Sequence, residues 1–173
     1  MKVRRVATHD GETPMTITFA HARFQDLSLL ELHDILWLRN EVFVVGQKIT
    51  VEPEVDGQDP ACVHVWGRDA DGKCVATARV FLDCDPVKVG RVAVATGLQR
   101  SGVGSELMAA VHTVIGARDA ALSAQAYLET WYRRLGWTSV GERYDEAEIP
   151  HIWMVRLAPA GGPGAPSSKL NNS

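Results

Sequence analysis

Cysteine is scarce in this chain and poorly spaced for chemistry: Cys62, Cys74 and Cys84 are an odd number, and no pair has CxxC spacing. A disulfide framework or a metal site is therefore not expected; three buried or half-buried thiols in a reducing cytoplasm are. Long apolar runs are missing too, since no stretch approaches the ~20 residues of a membrane span. The basic residues Lys2, Arg4 and Arg5 have no apolar segment behind them, so a secretory signal is not expected. Positive charge is in slight deficit, with 18 Lys and Arg against 21 Asp and Glu. That balance provides no basic face for nucleic acid or for an anionic membrane surface. The five tryptophans, Trp37, Trp66, Trp131, Trp137 and Trp153, are scattered over separate elements, which reads as core and not as a platform for stacking bases.

What remains suits one globular domain: 173 residues, 46% hydrophobic and 23% charged. Residues 1–14 are polar and carry Gly11 and Pro14, which marks an N-terminal tail. Residues 159–173 are rich in Pro, Gly and Ser, a composition that cannot offset the ordering entropy of a packed core and reads as a disordered C-terminal tail. The domain is expected over 15–158. Within it Thr16–Ala20 is a strand candidate, and Asp26 or Ser28 caps a helix running to about Val44, with Leu29, Leu32, Leu36 and Phe43 near one face. A polar loop, Gln47–Pro60, follows. Cys62–Arg68 and Lys73–Leu82 read as strands joined by the turn Asp69-Ala70-Asp71-Gly72, and Val87–Val94 as a third. A helix is expected from Gly102 to Ala117, a buried strand over Ala121–Tyr127, and a short helix over Glu129–Leu135 that stops at Gly136. Trp137–Tyr144 and Ile149–Leu157 close the chain as two antiparallel strands. The order implies an α+β fold with a mixed sheet.

The segment Gln99-Arg100-Ser101-Gly102-Val103-Gly104-Ser105 sits between a strand and a helix. The start of a helix presents unpaired N–H groups and partial positive charge, which suit a pyrophosphate. Glycines at 102 and 104 remove Cβ atoms from that approach, and Arg100 adds a charge-assisted contact. Two other phosphate signatures are absent: no Gly-Lys-Ser/Thr of a Walker A loop is present, and a GxGxxG begun at Gly102 meets Leu107 where glycine is required. The surviving pattern is Gln/Arg-x-x-Gly-x-Gly/Ala.

From about Leu27 to Leu157 the sequence resembles the GNAT acetyltransferase superfamily, and within it the ElaA-like and YjcF-like proteins. The matching pieces are Leu38-Arg39-Asn40-Glu41-Val42-Phe43-Val44-Val45-Gly46-Gln47, Glu54-Val55-Asp56-Gly57-Gln58-Asp59 with His64 downstream, the Gln99–Gly104 turn, Ala124-Gln125-Ala126-Tyr127, Trp131-Tyr132, Leu135-Gly136-Trp137 and Ile149-Pro150-His151-Ile152. The resemblance implies a mostly antiparallel central sheet with a V-shaped split between Val87–Val94 and Ala121–Tyr127, and helices on both faces. It also implies acetyl-CoA in that split as co-substrate. The pantetheine arm would pair with Val92, Ala93 and Val94, the pyrophosphate would meet the amides from Gln99 to Ser105, and Gln125 would touch the arm. The departure is Gly46, where the family usually has glutamate.

The implied reaction is direct transfer of acetyl to a primary amine, of a small molecule or a protein. The resemblance puts Tyr132 beside the sulfur, where a phenol can protonate a departing thiolate. A backbone N–H near Ala93 or Val94 would stabilise the oxyanion. The base stays open among Glu52, Glu54, Asp56, Asp59, His64 and His151. On the acceptor side Glu54, Asp56, His64 and His151 are candidate substrate contacts, as is Arg39, although a salt bridge from Arg39 to the acidic loop competes with that role. A silent acyl-CoA-binding regulatory module and an acyltransferase for longer chains stay open as alternatives, and a homodimer is compatible with the sequence.

Overall fold

The computed structural model describes residues 2–5 and 15–159, with side chains from Met15 onward. An unforeseen element opens the chain: β1 (Lys2–Arg5) pairs antiparallel with β2 (Thr16–Arg23), so part of the expected N-terminal tail is a strand at the sheet edge. The expected C-terminal tail beyond Pro159 lies outside the described residues.

Ser28, one of the two expected caps, starts α1 (Leu29–Arg39). Its hydroxyl accepts from the Glu31 amide at 3.2 Å and the Glu31 carboxylate accepts from the Ser28 amide at 2.9 Å, a reciprocal capping box. Past Arg39 the chain stays helical but winds wider, as a π-helix over Asn40–Gly46. The face expected from the leucines is corrected within α1 itself. Ile35, Leu38, Arg39 and Val42 are buried, whereas Leu29 is 87% exposed. Ile35, Leu38 and Val42 are spaced three and four residues apart, so the buried stripe keeps the helical period but lies to one side of the stripe the leucines mark.

The strands β3 (Val63–Arg68), β4 (Cys74–Phe81), β5 (Val87–Val94), β6 (Ala120–Gln125), β7 (Thr138–Glu146) and β8 (Ile149–Arg156) complete an eight-stranded sheet in the order β1-β2-β3-β4-β5-β6-β8-β7. Every pair is antiparallel except β5 with β6. On one face Ile35, Leu38 and Val42 pack with Trp66, Cys74 and Ala93. On the other, α2 (Val103–Ile115) lays Val103, Leu107, Met108, Val111 and Ile115 against strand residues such as Val65, Val80 and Val89. Coverage on both sides explains why β3 and β4 are almost wholly buried, the polar His64, Thr77 and Arg79 included. The short helix α3 (Glu129–Arg134) packs against β7. The tryptophans divide: Trp66 and Trp137 are core, but Trp37 is 60% and Trp153 46% exposed.

Candidate active site

The two strands of the single parallel pair part company early. β5 and β6 are in register only from Val87 to Val89 with Ala120 to Leu122. Beyond that point they diverge, and the gap is a cleft of about 1040 Å³. Gly90–Val94 of β5 lines one wall, Ser123 and Gln125 of β6 with His151 and Trp153 of β8 line the other, and Leu128, Trp131 and Tyr132 border it as well.

The β5 wall carries a bulge. Thr77 faces Ala93 while Arg79 faces Gly90, so β5 has one residue more than β4 here, and Arg91 takes a positive φ of 49°. The Ala95 N–H donates to the Val75 carbonyl of β4 at 2.9 Å. By alternation along the strand, the Val94 N–H then points the opposite way, toward the open side. Of the two amides expected to face the reaction, that geometry favours Val94.

The phosphate-type turn ends at the cleft. Gln99, Arg100, Gly102, Gly104 and Ser105 line it. Two expected members turn their side chains elsewhere: the Ser101 hydroxyl donates to the Leu98 carbonyl at 2.6 Å, and Val103 is fully buried in the core. The first amides of α2 nonetheless have no carbonyl four residues back to bond. The glycines have sharper reasons than clearance for a ligand. Gly102 has φ 96°, a conformation that costs side-chain-bearing residues strain, and a Cβ on Gly104 would lie 3.1 Å from the Trp131 ring. The Trp131 indole N–H in turn donates to Ser105 Oγ at 3.3 Å, which ties α3 to the start of α2.

Tyr132 borders the cleft and is otherwise enclosed, edge-on to Trp131 at 4.6 Å and to Trp137 at 6.3 Å between ring centroids. Burial raises its pKa well above the usual phenol range. Its hydroxyl has no hydrogen-bond partner among the described residues. Gln125 also lines the cleft, and its side chain is paired with Gln47: each amide donates to the other, at 2.9 and 3.4 Å. That pair bridges the end of the π-helix to β6 across the opening.

The acidic loop is a different structure from the one its composition suggests. Arg39 donates to the Glu54 carboxylate, to the Glu54 carbonyl at 2.9 Å and to Asp59 Oδ1 at 2.5 Å. Arg79 grips Asp56 with two parallel bonds of 2.7 and 2.8 Å, and the bulged Arg91 pairs with Glu54 at 2.9 Å and Asp56 at 3.5 Å. Three arginines thus balance three carboxylates. The hydrogen bonds from Arg79 hold Asp56 well below the usual carboxylate range. Arg39, at 0% exposure, and Asp56 do not line the cleft, and Glu54 borders it already paired. His64 is also 0% exposed, with Nε2 3.2 Å from the Asp59 carbonyl oxygen, and burial pushes its pKa down. Of the expected substrate contacts, Arg39, Asp56 and His64 therefore stand outside the cleft lining as parts of a structural network, and Glu54 reaches the cleft already ion-paired. Buried charges must find partners before they can serve a ligand. Asp59, Cys62 and His64 lie close enough to hold a cation. The guanidinium groups of Arg39 and Arg79 already face Asp59, and burial pushes the Cys62 thiol up to about 11, both of which work against one.

Only His151 of the acceptor-side histidines reaches the cleft. It is 8% exposed, and its Nδ1 lies 2.7 Å from the Ile149 carbonyl oxygen. Beside it are residues the sequence did not single out. Ser123 Oγ lies 2.5 Å from the Tyr144 hydroxyl and donates to Glu146 at 2.8 Å, and the Tyr144 ring stacks on both His151 and Trp153. The signal for Ser123 was the period-2 alternation of β6, which places it on the same side as the expected Gln125; Tyr144 and Glu146 follow a bulge in β7 that breaks it. Gly46 is exposed and outside the lining, with room for a Cβ only 3.1 Å from the Glu41 carbonyl oxygen.

Residues 58–158 match the family model described as an acetyltransferase (GNAT) domain. The chain belongs to the GNAT acetyltransferase family. It is 38% identical over 144 residues to a UPF0039 protein of Schizosaccharomyces pombe, covering 80% of this chain and 95% of that one. Among solved structures it is similar to an acyl-CoA N-acyltransferase from Pseudomonas aeruginosa, at 36% identity and TM-score 0.72, over 82% of this chain and 99% of that one. It is likewise similar to Escherichia coli ElaA, at 34% identity and TM-score 0.74, over 81% and 99%. The chain is thus an acyl-CoA N-acyltransferase by family and fold, and the expected mixed, mostly antiparallel sheet with helices on both faces is the GNAT architecture.

Proposed function

We propose that this chain transfers acetyl from acetyl-CoA to a primary amine by direct attack, with both substrates in the β5–β6 cleft and Tyr132 as proton donor. The observation that carries the reading is the convergence on one cleft of an opened strand, a helix start and an otherwise enclosed phenol with no protein partner. These parts fit the group the family uses. Past Val89 the β6-facing edge of β5 is free to pair with an amide-bearing arm, and the first turn of α2 offers donors to a pyrophosphate. Bound acetyl-CoA supplies the thioester carbonyl.

The chain's own groups supply the remainder. Val92, Ala93 and Val94 hold the arm in line along the strand, and the Val94 N–H meets the carbonyl oxygen as that oxygen gains charge. Gln99, Arg100 and the amides of Gly102, Val103 and Gly104 take the phosphates, since those of Ser101 and Ser105 already donate to the Leu98 and Gly102 carbonyls. Gln125 meets the arm once it releases Gln47. Tyr132 keeps its proton because burial disfavours the phenolate, so it has one to donate to the departing sulfur.

The test is steady-state release of CoA from acetyl-CoA across a panel of primary amines. Release that requires the amine and scales with it supports the reading. CoA binding without amine-dependent release on any acceptor would point instead to a silent acyl-CoA-binding module.

A further inference from the structure

The acceptor end of the cleft is built by the β7–β8 hairpin, and two of its groups are left over by the mechanism above. His151 is nine-tenths buried yet lines the cleft. With Nδ1 2.7 Å from a carbonyl oxygen, the ring must donate there, which fixes the tautomer and leaves a lone pair on Nε2. Nε2 has no partner among the described residues. The titratable groups beside it are Tyr144, stacked at 6.2 Å, and Glu146, both from β7, and Tyr127 from the turn after β6 lines the same cleft. From β6 come the uncharged Ser123 and Gln125.

The other group is Glu146. It accepts from Ser123 at 2.8 Å and makes no ion pair among the described residues, although it lines the cleft. On the loop side Arg39, Arg79 and Arg91 are committed to Glu54, Asp56 and Asp59, and Lys48 does not line the cleft. Lys88, Arg100 and Arg134 also border the cleft, but from early β5, the phosphate-type turn and the end of α3. Among the described residues that line the cleft, an acceptor carboxylate therefore finds no cation on β6, β7 or β8 around His151, whereas a second ammonium finds Glu146 and the Tyr144 and Trp153 rings.

We propose that His151 takes the proton of the acceptor amine and that Glu146 holds a second cationic group on the same acceptor, so that the preferred substrates are diamines and not amino acids. The assignment rests on the acetyltransferase reading. The amine enters as an ammonium and gives one proton to His151 Nε2. Its freed lone pair forms the C–N bond, the C–S bond breaks, and the sulfur takes a proton from Tyr132. Loss of the second nitrogen proton to solvent water leaves the neutral amide, and Tyr132 and His151 recover their resting states by exchange with water.

The experiment uses the full chain with saturating acetyl-CoA and three acceptors: 1,4-diaminobutane, butylamine and 4-aminobutanoate. Wild type should favour diaminobutane over aminobutanoate by about 100-fold or more in kcat/KM, and Glu146→Gln should collapse the preference for diaminobutane over butylamine. His151→Asn keeps a donor for the Ile149 carbonyl but cannot accept the proton. It should lower kcat by about 10²–10⁴-fold and abolish the acid limb of the kcat/KM profile, while acetyl-CoA still raises the melting temperature as in wild type. His151→Gln is the second variant should the first fail to fold. Equal use of aminobutanoate, or a variant that keeps the wild-type acid limb, overturns the assignment. Absence of turnover by wild type on any amine would overturn the acetyltransferase reading beneath it, which is a separate result.

Discussion

Tyr132 and His151 are both nearly buried side chains at the cleft, and burial bears directly on the chemistry of the phenol. For the phenol it disfavours the anion, so the residue keeps its proton for a strong base such as a thiolate. Tyr132→Phe should lower kcat by about 10²–10⁴-fold, the usual worth of a positioned acid. The acetyl-CoA dissociation constant, read by titration calorimetry, should change little because the ring and its contacts with Trp131 and Trp137 persist. Unchanged turnover would remove Tyr132 from the chemistry. Tyr132 was legible because a short motif sits on a short helix, and local chain geometry delivers it. The roles of Glu54 and Asp56 were not. Their partners Arg39, Arg79 and Arg91 lie 15 to 37 positions away, and nothing local tells a paired carboxylate from a free one.

At the level of elements, α1 and the loop after it form one electrostatic unit. Ser28→Ala removes the capping hydroxyl and should cost about 1 kcal/mol, seen as a lower urea midpoint at unchanged slope. Arg39→Met is a far heavier change. It leaves Asp59 and Glu54 buried with less compensation, and the loss should be about 3–5 kcal/mol. Removing a solvated loop contact would cost well under 1 kcal/mol, so the size of the effect separates a buried network from a surface one. The leucine stripe misled because Leu29, Leu32 and Leu36 share a side of α1 that the sheet leaves partly exposed, while Ile35, Leu38 and Val42, at the same helical spacing, meet it.

For the whole molecule, ligand linkage and pH are the two probes. Acetyl-CoA at 100 times its dissociation constant should stabilise the fold by about 2.7 kcal/mol, visible as a rise in melting temperature; no rise would argue against the cleft as its site. The acid response has a defined source. The His112 ring accepts from the Trp137 indole at 3.0 Å, and burial, with Arg156 nearby, pushes its pKa down to about 4. The unfolded chain then binds more protons than the folded one between about 6.5 and 4, so stability falls as pH drops through that window. His112→Gln keeps an acceptor without a titrating ring and should lose less melting temperature between pH 7 and 4.5 than wild type.

The order of elements, the turn at the start of α2 and the family were readable in the sequence, because periodicity, glycine placement and short motifs are properties of neighbours in the chain. The β1 edge strand, the neutralised acidic loop and the Ser123–Tyr144–Glu146 group beside His151 were decided only in three dimensions. Each depends on strands or loops distant in sequence being brought together. Hydrophobic pattern selects which face of an element is buried, but a charged residue's role depends on the opposite charge that the fold places beside it.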